Sequence, residues 1–184
     1  MLFSSVSFIY LFLPLALLAY FATPQPRGSL LPRNCVLLLA SLIFYAWGGP
    51  GYLLIMIGQI IAAWGFGLAI SRRRSRLVFV VAICVCLSSL LLFKYADFFS
   101  ANLNALLHSQ LPLLRFALPL GISFYTFQIL SYLIDLYRGN ISVQRNVVVF
   151  ATYVALFPQL VAGPIVRYAD IQDELSGRGH SLAG

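Results

Sequence analysis

The sequence predicts an all-α fold: a polytopic transmembrane helical bundle of about six apolar helices plus one interfacial amphipathic helix. Three observations carry that prediction. Hydrophobic residues make up 61% of the 184 residues and charged residues only 9%, against about 25% charged in an ordinary soluble domain. A soluble chain of this length has too little interior for so much apolar side chain. The apolar residues also fall in runs of helix length, separated by short breaks rich in Gly, Pro or Arg. Fifteen Phe, ten Tyr and two Trp suit the membrane–water interfaces. No run reads as a strand, and there is no internal repeat or low-complexity segment.

The first span is residues 6–22, with Pro14 in its middle as a predicted kink. No Lys or Arg precedes it and no small-x-small site follows it, so it reads as a retained helix rather than a cleaved leader. Residues 23–34 form a loop with three prolines and two arginines. Residues 35–47 are apolar but short for a crossing, so that helix must start earlier, tilt or stop part-way. Gly48-Gly49-Pro50-Gly51 then breaks the chain. Residues 53–70 form the next span, where Gly58, Gly65 and Gly67 leave a groove for a close neighbour. A further span covers 77–93. Residues 94–115 mix Asp97, Asn102, Asn104, His108 and Gln110 with Phe and Leu, the pattern of an amphipathic helix lying in the interface. The next helix is 119–138, about 20 residues and long enough to cross, with Gly139 as its stop. The last apolar run is 146–162, ended by Gly163-Pro164. Residues 1–163 thus read as one multi-span domain, and 164–184 as a polar tail that stops short of a domain boundary.

The net charge of +7 does not point to nucleic acid, because the basic residues lie in short loops between apolar runs, where topology rules place them. With the N-terminus outside, the inside loops hold Arg27, Arg33, Arg72, Arg73, Arg74, Arg76, Arg138 and Arg145, eight of the twelve basic residues. The loop 48–52 holds none. This favours an N-terminus on the outer, periplasmic side. Cys35, Cys84 and Cys86 sit in or beside apolar runs and read as small core residues rather than as metal ligands.

The 119–138 helix is the most polar of the set. It carries Ser123, Thr126, Gln128, Ser131 and Asp135, and a charged Asp well inside a span costs about 2.5–3.5 kcal/mol. At 100° per residue, Gly121, Phe124, Gln128, Ser131, Tyr132, Asp135 and Arg138 share one arc, and Ile122, Ile129, Leu133 and Leu136 the other. The second arc suits lipid; the first must face protein or a water-filled cavity. Asp135 and Arg138 stand three apart and can pair. Further on, Phe157-Pro158-Gln159 and Gly163-Pro164 place two prolines and a glycine at membrane depth, a broken helix of the kind that lines a cavity or is buried in protein. Periodicity leaves two readings open. The stripe glues helices together, or it lines a substrate tunnel through Gln128, Ser131, Asp135, Gln159 and Arg167.

Two motifs carry a resemblance. Leu118-Pro-Leu-Gly-Ile-Ser-Phe-Tyr-Thr-Phe-Gln-Ile-Leu-Ser-Tyr-Leu-Ile-Asp-Leu-Tyr-Arg-Gly139 and Phe157-Pro-Gln-Leu-Val-Ala-Gly-Pro-Ile-Val-Arg167 resemble the membrane-bound O-acyltransferase (MBOAT) family, most closely its bacterial branch that acetylates alginate. The opening fourteen residues and Ser41-Leu-Ile-Phe-Tyr-Ala-Trp-Gly48 look like the same branch, and the D-alanyl transferase branch is a weaker match. The resemblance implies a multi-pass enzyme of the bacterial inner membrane with a tunnel. It implies no bound cofactor, but an acyl-donor thioester such as acetyl-CoA. The implied partners are membrane lipid, an acceptor polysaccharide and periplasmic polysaccharide-acetylation proteins.

Family members are more than twice this length, and their catalytic histidine lies in a later apolar helix. Neither His108 nor His180 matches that motif, so no catalytic residue is assigned. A sugar hydroxyl needs a positioned base to take its proton, and the expectation is that this chain supplies tunnel wall without the base. The rival readings are a transporter subunit, which would share broken helices and buried polar groups, and a non-catalytic membrane scaffold.

Overall fold

The computed structural model describes residues 6–26, 29–107, 118–119, 121–162 and 167–176. Among these the fold is all-helical, as the composition requires.

A π-helical segment, Phe8–Phe12, leads into α1, Leu13–Ala22. Pro14 accounts for this: it has no N–H for the carbonyl one turn back, and its ring crowds that carbonyl. The wider turn relieves both, with Leu13 N–H donating to Phe8 O. Helix α2, Leu31–Ala46, begins earlier than residue 35, because Pro32 is well placed in a first turn. Arg33 therefore lies on the helix and not in a loop. It donates to Thr23 O at 3.3 Å and stands over the Tyr20 ring at 5.2 Å, closing the α1–α2 turn. Likewise Pro50 starts α3, Pro50–Arg72, rather than standing outside it.

Helix α4 runs unbroken over Arg76–Leu107, so the amphipathic segment from residue 94 is the end of a span and not a separate helix. The reason is visible in the sequence: no Gly or Pro lies between residues 76 and 107. Arg76 and Lys94 are about 27 Å apart along the axis, close to the hydrocarbon thickness. The remainder continues the same helix to Leu107. His108 and Arg115 lie outside the described residues.

Helix α5, Ile122–Arg138, has 17 residues, shorter than the 119–138 span expected from sequence. Gly121 at φ 69° stops it at one end and Gly139 at φ 83° at the other. The C-terminal stop is a Schellman closure: Asn140 N–H donates to Asp135 O at 2.9 Å and Gly139 N–H to Leu136 O at 3.1 Å. The final apolar run is not one helix. It divides at Leu156, whose ψ is 112°, into α6, Val147–Ala155, and α7, Phe157–Ala162. The expected tail holds one more helix, α8, Tyr168–Ser176.

Helix α5 lies centrally, in contact with α3, α4, α6 and α8, while α1 packs on α2 at the edge. Among the described residues two helices, α3 and the 76–102 part of α4, are long and apolar enough to cross a membrane. Large apolar side chains of the π-helical segment, α1 and α4, including Tyr10, Leu18, Phe21, Leu77 and Leu92, stand exposed. A belt of that extent suits lipid and not water. The chain is an all-α membrane protein.

Two sequence expectations about packing are overturned. Ile122, Ile129, Leu133 and Leu136, assigned to lipid, are buried in the protein core. Helices α3 and α4 cover that side, and the exposed residues of α5 include Phe124 and Phe127. Of the three α3 glycines, only Gly67 admits a close neighbour, Tyr132; nothing lies within 4 Å of a side chain built at Gly58 or Gly65. Cys86 is a core residue, but Cys84 is exposed and Cys35 half-buried.

Candidate functional site

The break between α6 and α7 organises the polar interior. Pro158 cannot donate to the carbonyl one turn back, and the chain unwinds at Leu156. The freed Phe157 N–H then donates to Ser41 Oγ of α2 at 3.2 Å, while that hydroxyl donates to Leu37 O at 2.8 Å. Ser41 is fully buried, so it replaces the lost helical partner in a place that water does not reach. The Phe157 ring is fixed among Phe8, Phe12 and Phe44, with centroids 5.5–5.9 Å away. On the other side, a side chain at Gly121 would stand 3.1 Å from Leu160 O. Only glycine lets the start of α5 come this close to α7 at that φ.

This closeness brings two sequence-predicted residues together. Gln128, 2% exposed, donates through Nε2 to Gln159 Oε1 at 3.1 Å. Its own Oε1 is buried without a partner. Tyr153 donates to the Gln128 carbonyl at 3.5 Å. Ser131 and Asp135 follow on the same flank of α5, both half-buried. The Asp135 carboxylate makes no ion pair with Arg138, contrary to expectation; it accepts from Asn140 Nδ2 at 3.4 Å, and Arg138 is exposed. Arg167 is exposed just before α8 and is not brought to the Gln128–Gln159 pair by any described contact. Gly163, Pro164 and His180 lie outside the described residues.

Other polar residues in the interior have no counterpart in the sequence-based site. Gln59 of α3 donates to Ser89 Oγ and, at 3.1 Å, to Cys86 O of α4, and accepts from Thr126 of α5 at 3.5 Å. Tyr45 and Tyr125 face each other edge-on, centroids 6.5 Å apart, and their buried hydroxyls lack a hydrogen bond of ordinary geometry. Gln144 donates from its backbone to Tyr132 Oη at 3.1 Å and from its side chain to Tyr168 Oη at 2.9 Å. Burial holds the Tyr168 phenol above its ordinary range despite that bond, so it stays a neutral hydroxyl. Period-3.6 spacing could have flagged Tyr125 beside Gln128 and Tyr132; nothing in the sequence links Gln59 to Ser89.

The interior seam therefore offers amide and hydroxyl groups, with an open acceptor at Gln128 Oε1. Among the described residues, no group of three or more His, Cys, Asp or Glu could hold a metal ion.

The fold and seam define a multi-span helical membrane protein with a broken helix against its most polar one. Relatives make this specific. The chain is 38% identical over 99% of its length to the probable alginate O-acetylase AlgI of Pseudomonas syringae pv. tomato, covering 36% of that protein. It is 40% identical over 99% of its length to the same protein of Azotobacter vinelandii, covering 37% of it. It is 31% identical over 98% of its length to the peptidoglycan O-acetyltransferase of Helicobacter pylori, covering 40%. The resemblance to the alginate-acetylating branch of the membrane-bound O-acyltransferases is thus borne out, and the chain spans a little over a third of the length of the curated relatives it matches. No family model and no solved structure matches the chain.

Proposed function

We propose that the chain is part of a membrane-bound O-acetyltransferase that acts in O-acetylation of alginate or a similar exported polysaccharide. The similarity to alginate O-acetylases over 99% of the chain carries this reading. It favours acyl transfer over the transporter and scaffold alternatives, since the relatives are named for acetylation. In this reading the protein sits in the bacterial inner membrane with its N-terminus periplasmic. Its donor is a thioester such as acetyl-CoA, and its partners are the acceptor polysaccharide and periplasmic acetylation proteins.

Within it, Gln128, Ser131, Asp135, Gln159 and Arg167 serve as tunnel wall, by position and hydrogen bonding rather than proton transfer. Because the chain spans a little over a third of the length of these relatives, this part by itself is expected, in this reading, to be inactive. The test is the acetyl content of exported polysaccharide in a deletion strain, complemented with this chain and with a longer frame that includes it. Acetylation restored only by the longer frame is expected. Unchanged acetylation in the deletion strain would remove the reading.

A further inference from the structure

Helix α3 ends at Arg72, and the turn to α4 places Arg74 beside the C-terminus of α5, where it fills the space that a side chain at Gly139 would take. The loop after α5 returns to the same place with Ser142 and Arg145. Two adjoining hollows of about 320 and 340 Å³ result, sharing Ser71, Val143 and Arg145. Arg74 and Ser142 line the first and Arg72 the second. Among the described residues no carboxylate lines either hollow, and none of these three arginines forms an ion pair. Three guanidinium groups with unpaired donors and two exposed hydroxyls thus converge on a concavity at the end of two membrane-embedded helices. Among the described residues no carboxylate relieves the repulsion between them, and Arg74 also meets the carbonyl end of α5.

We propose that this concavity is a phosphate site, in which Arg72, Arg74 and Arg145, with Ser71 and Ser142, bind the phosphate of an anionic phospholipid headgroup or of a soluble phosphorylated molecule. Guanidinium forks match phosphate oxygens in pairs, hydroxyls complete the set, and basic pockets between membrane helices at the headgroup level suit such ligands. The site faces the loops that carry most of the arginines, the side where anionic lipid attracts them. The assignment does not depend on acyl transfer.

The test is binding of dihexanoyl phosphatidylglycerol to the purified full chain in neutral detergent, by native mass spectrometry. Dihexanoylglycerol, which lacks the phosphate, is the control. Tight binding of the first and not the second is expected. Arg72→Gln with Arg145→Gln should weaken it by roughly thirtyfold, at about 1 kcal/mol per basic residue. The paired Arg→Lys variant, which keeps charge but not the fork, should fall between. Inorganic pyrophosphate separates the sources: displacement of the lipid at millimolar concentration assigns the site to soluble phosphates as well, and persistence assigns it to the headgroup. If the Gln variant does not fold, wild-type binding should still fall steeply between low and high salt. Equal binding of the two glycerolipids, a folded Gln variant that binds as wild type, or salt-independent binding would overturn the site.

Discussion

Gly67→Ala on α3 should destabilise the protein or leave it unchanged, whereas Gly65→Ala two residues away should stabilise it. Both sites are helical, and replacing glycine by alanine in a helix interior gains about 1 kcal/mol in either case. The surroundings differ. A methyl group at Gly65 meets nothing within 4 Å; at Gly67 it stands 3.1 Å from Tyr132 Cε1 and 3.2 Å from Tyr132 Oη. The tyrosine has nowhere to go. It is fully buried, its ring lies 4.8 Å from that of Phe150 and 5.2 Å from that of Tyr168, and its hydroxyl accepts from Gln144 N–H at 3.1 Å. Overpacking of this kind costs about 1–3 kcal/mol, so the two variants should differ by that amount whatever the exact helix gain. Reversible unfolding in mixed micelles of dodecylmaltoside and SDS, followed by far-UV circular dichroism, measures the difference. In a Tyr132→Leu background the Gly67→Ala cost should shrink, with a coupling of about 0.5–3 kcal/mol. If the two glycine variants agree within about 0.5 kcal/mol, α3 and α5 do not pack as described.

Three further outcomes follow from named contacts. Ser41→Ala removes the hydroxyl that receives the Phe157 N–H at 3.2 Å and should cost about 1–3 kcal/mol in the same assay, because a buried donor is left unpaired. A double-mutant cycle of Gln128→Leu and Gln159→Leu should give a coupling of about 0.6 kcal/mol and no more than about 1.7; a coupling of zero would separate α5 from α7. Asn146→Ala removes a cap that accepts from Val148 N–H at 2.9 Å and Val149 N–H at 3.5 Å, and should cost about 0.5–2 kcal/mol, while Asn146→Asp should retain most of it.

The class of fold was legible because membrane helices are written in composition and run length, which need no partner to be read. Helix ends were legible where a residue acts locally, as Gly139 does in its left-handed stop. Prolines mislead in one direction: the sequence pattern puts Pro32 and Pro50 in breaks between helices, although a first turn tolerates proline and both occupy one. The faces of α5 were not legible. In water, an apolar arc marks the core and a polar arc the surface; in a membrane bundle the apolar arc suits lipid and core alike, so periodicity could not assign Ile129 and Leu133 to either. Ser41, Gln59 and Tyr125 stayed hidden for a related reason. A single polar residue in an apolar run acquires its meaning only from the helix opposite.

These two gaps meet at one structural feature. Seventeen residues of α5 rise about 26 Å, less than a full hydrocarbon core, and the helix is held by neighbours on several sides rather than by lipid. A helix so placed can carry Gln128 and Asp135 without the full penalty of exposure to hydrocarbon. The penalty that remains at Gln128 is offset by Gln159, which can reach it because Pro158 breaks the helix and Gly121 lets α7 approach the start of α5. The proline, the glycine and the glutamine pair are therefore one device: each would destabilise a membrane helix alone, and together they hold a polar seam inside the bundle. Gluing helices accounts for the bonded halves of that seam. It does not account for the buried Gln128 Oε1, which has no hydrogen-bond partner among the described residues, while the buried Tyr45 and Tyr125 hydroxyls have one another, without ordinary hydrogen-bond geometry. Buried polar atoms without partners are costly, and in the tunnel reading proposed above a polar substrate would meet them.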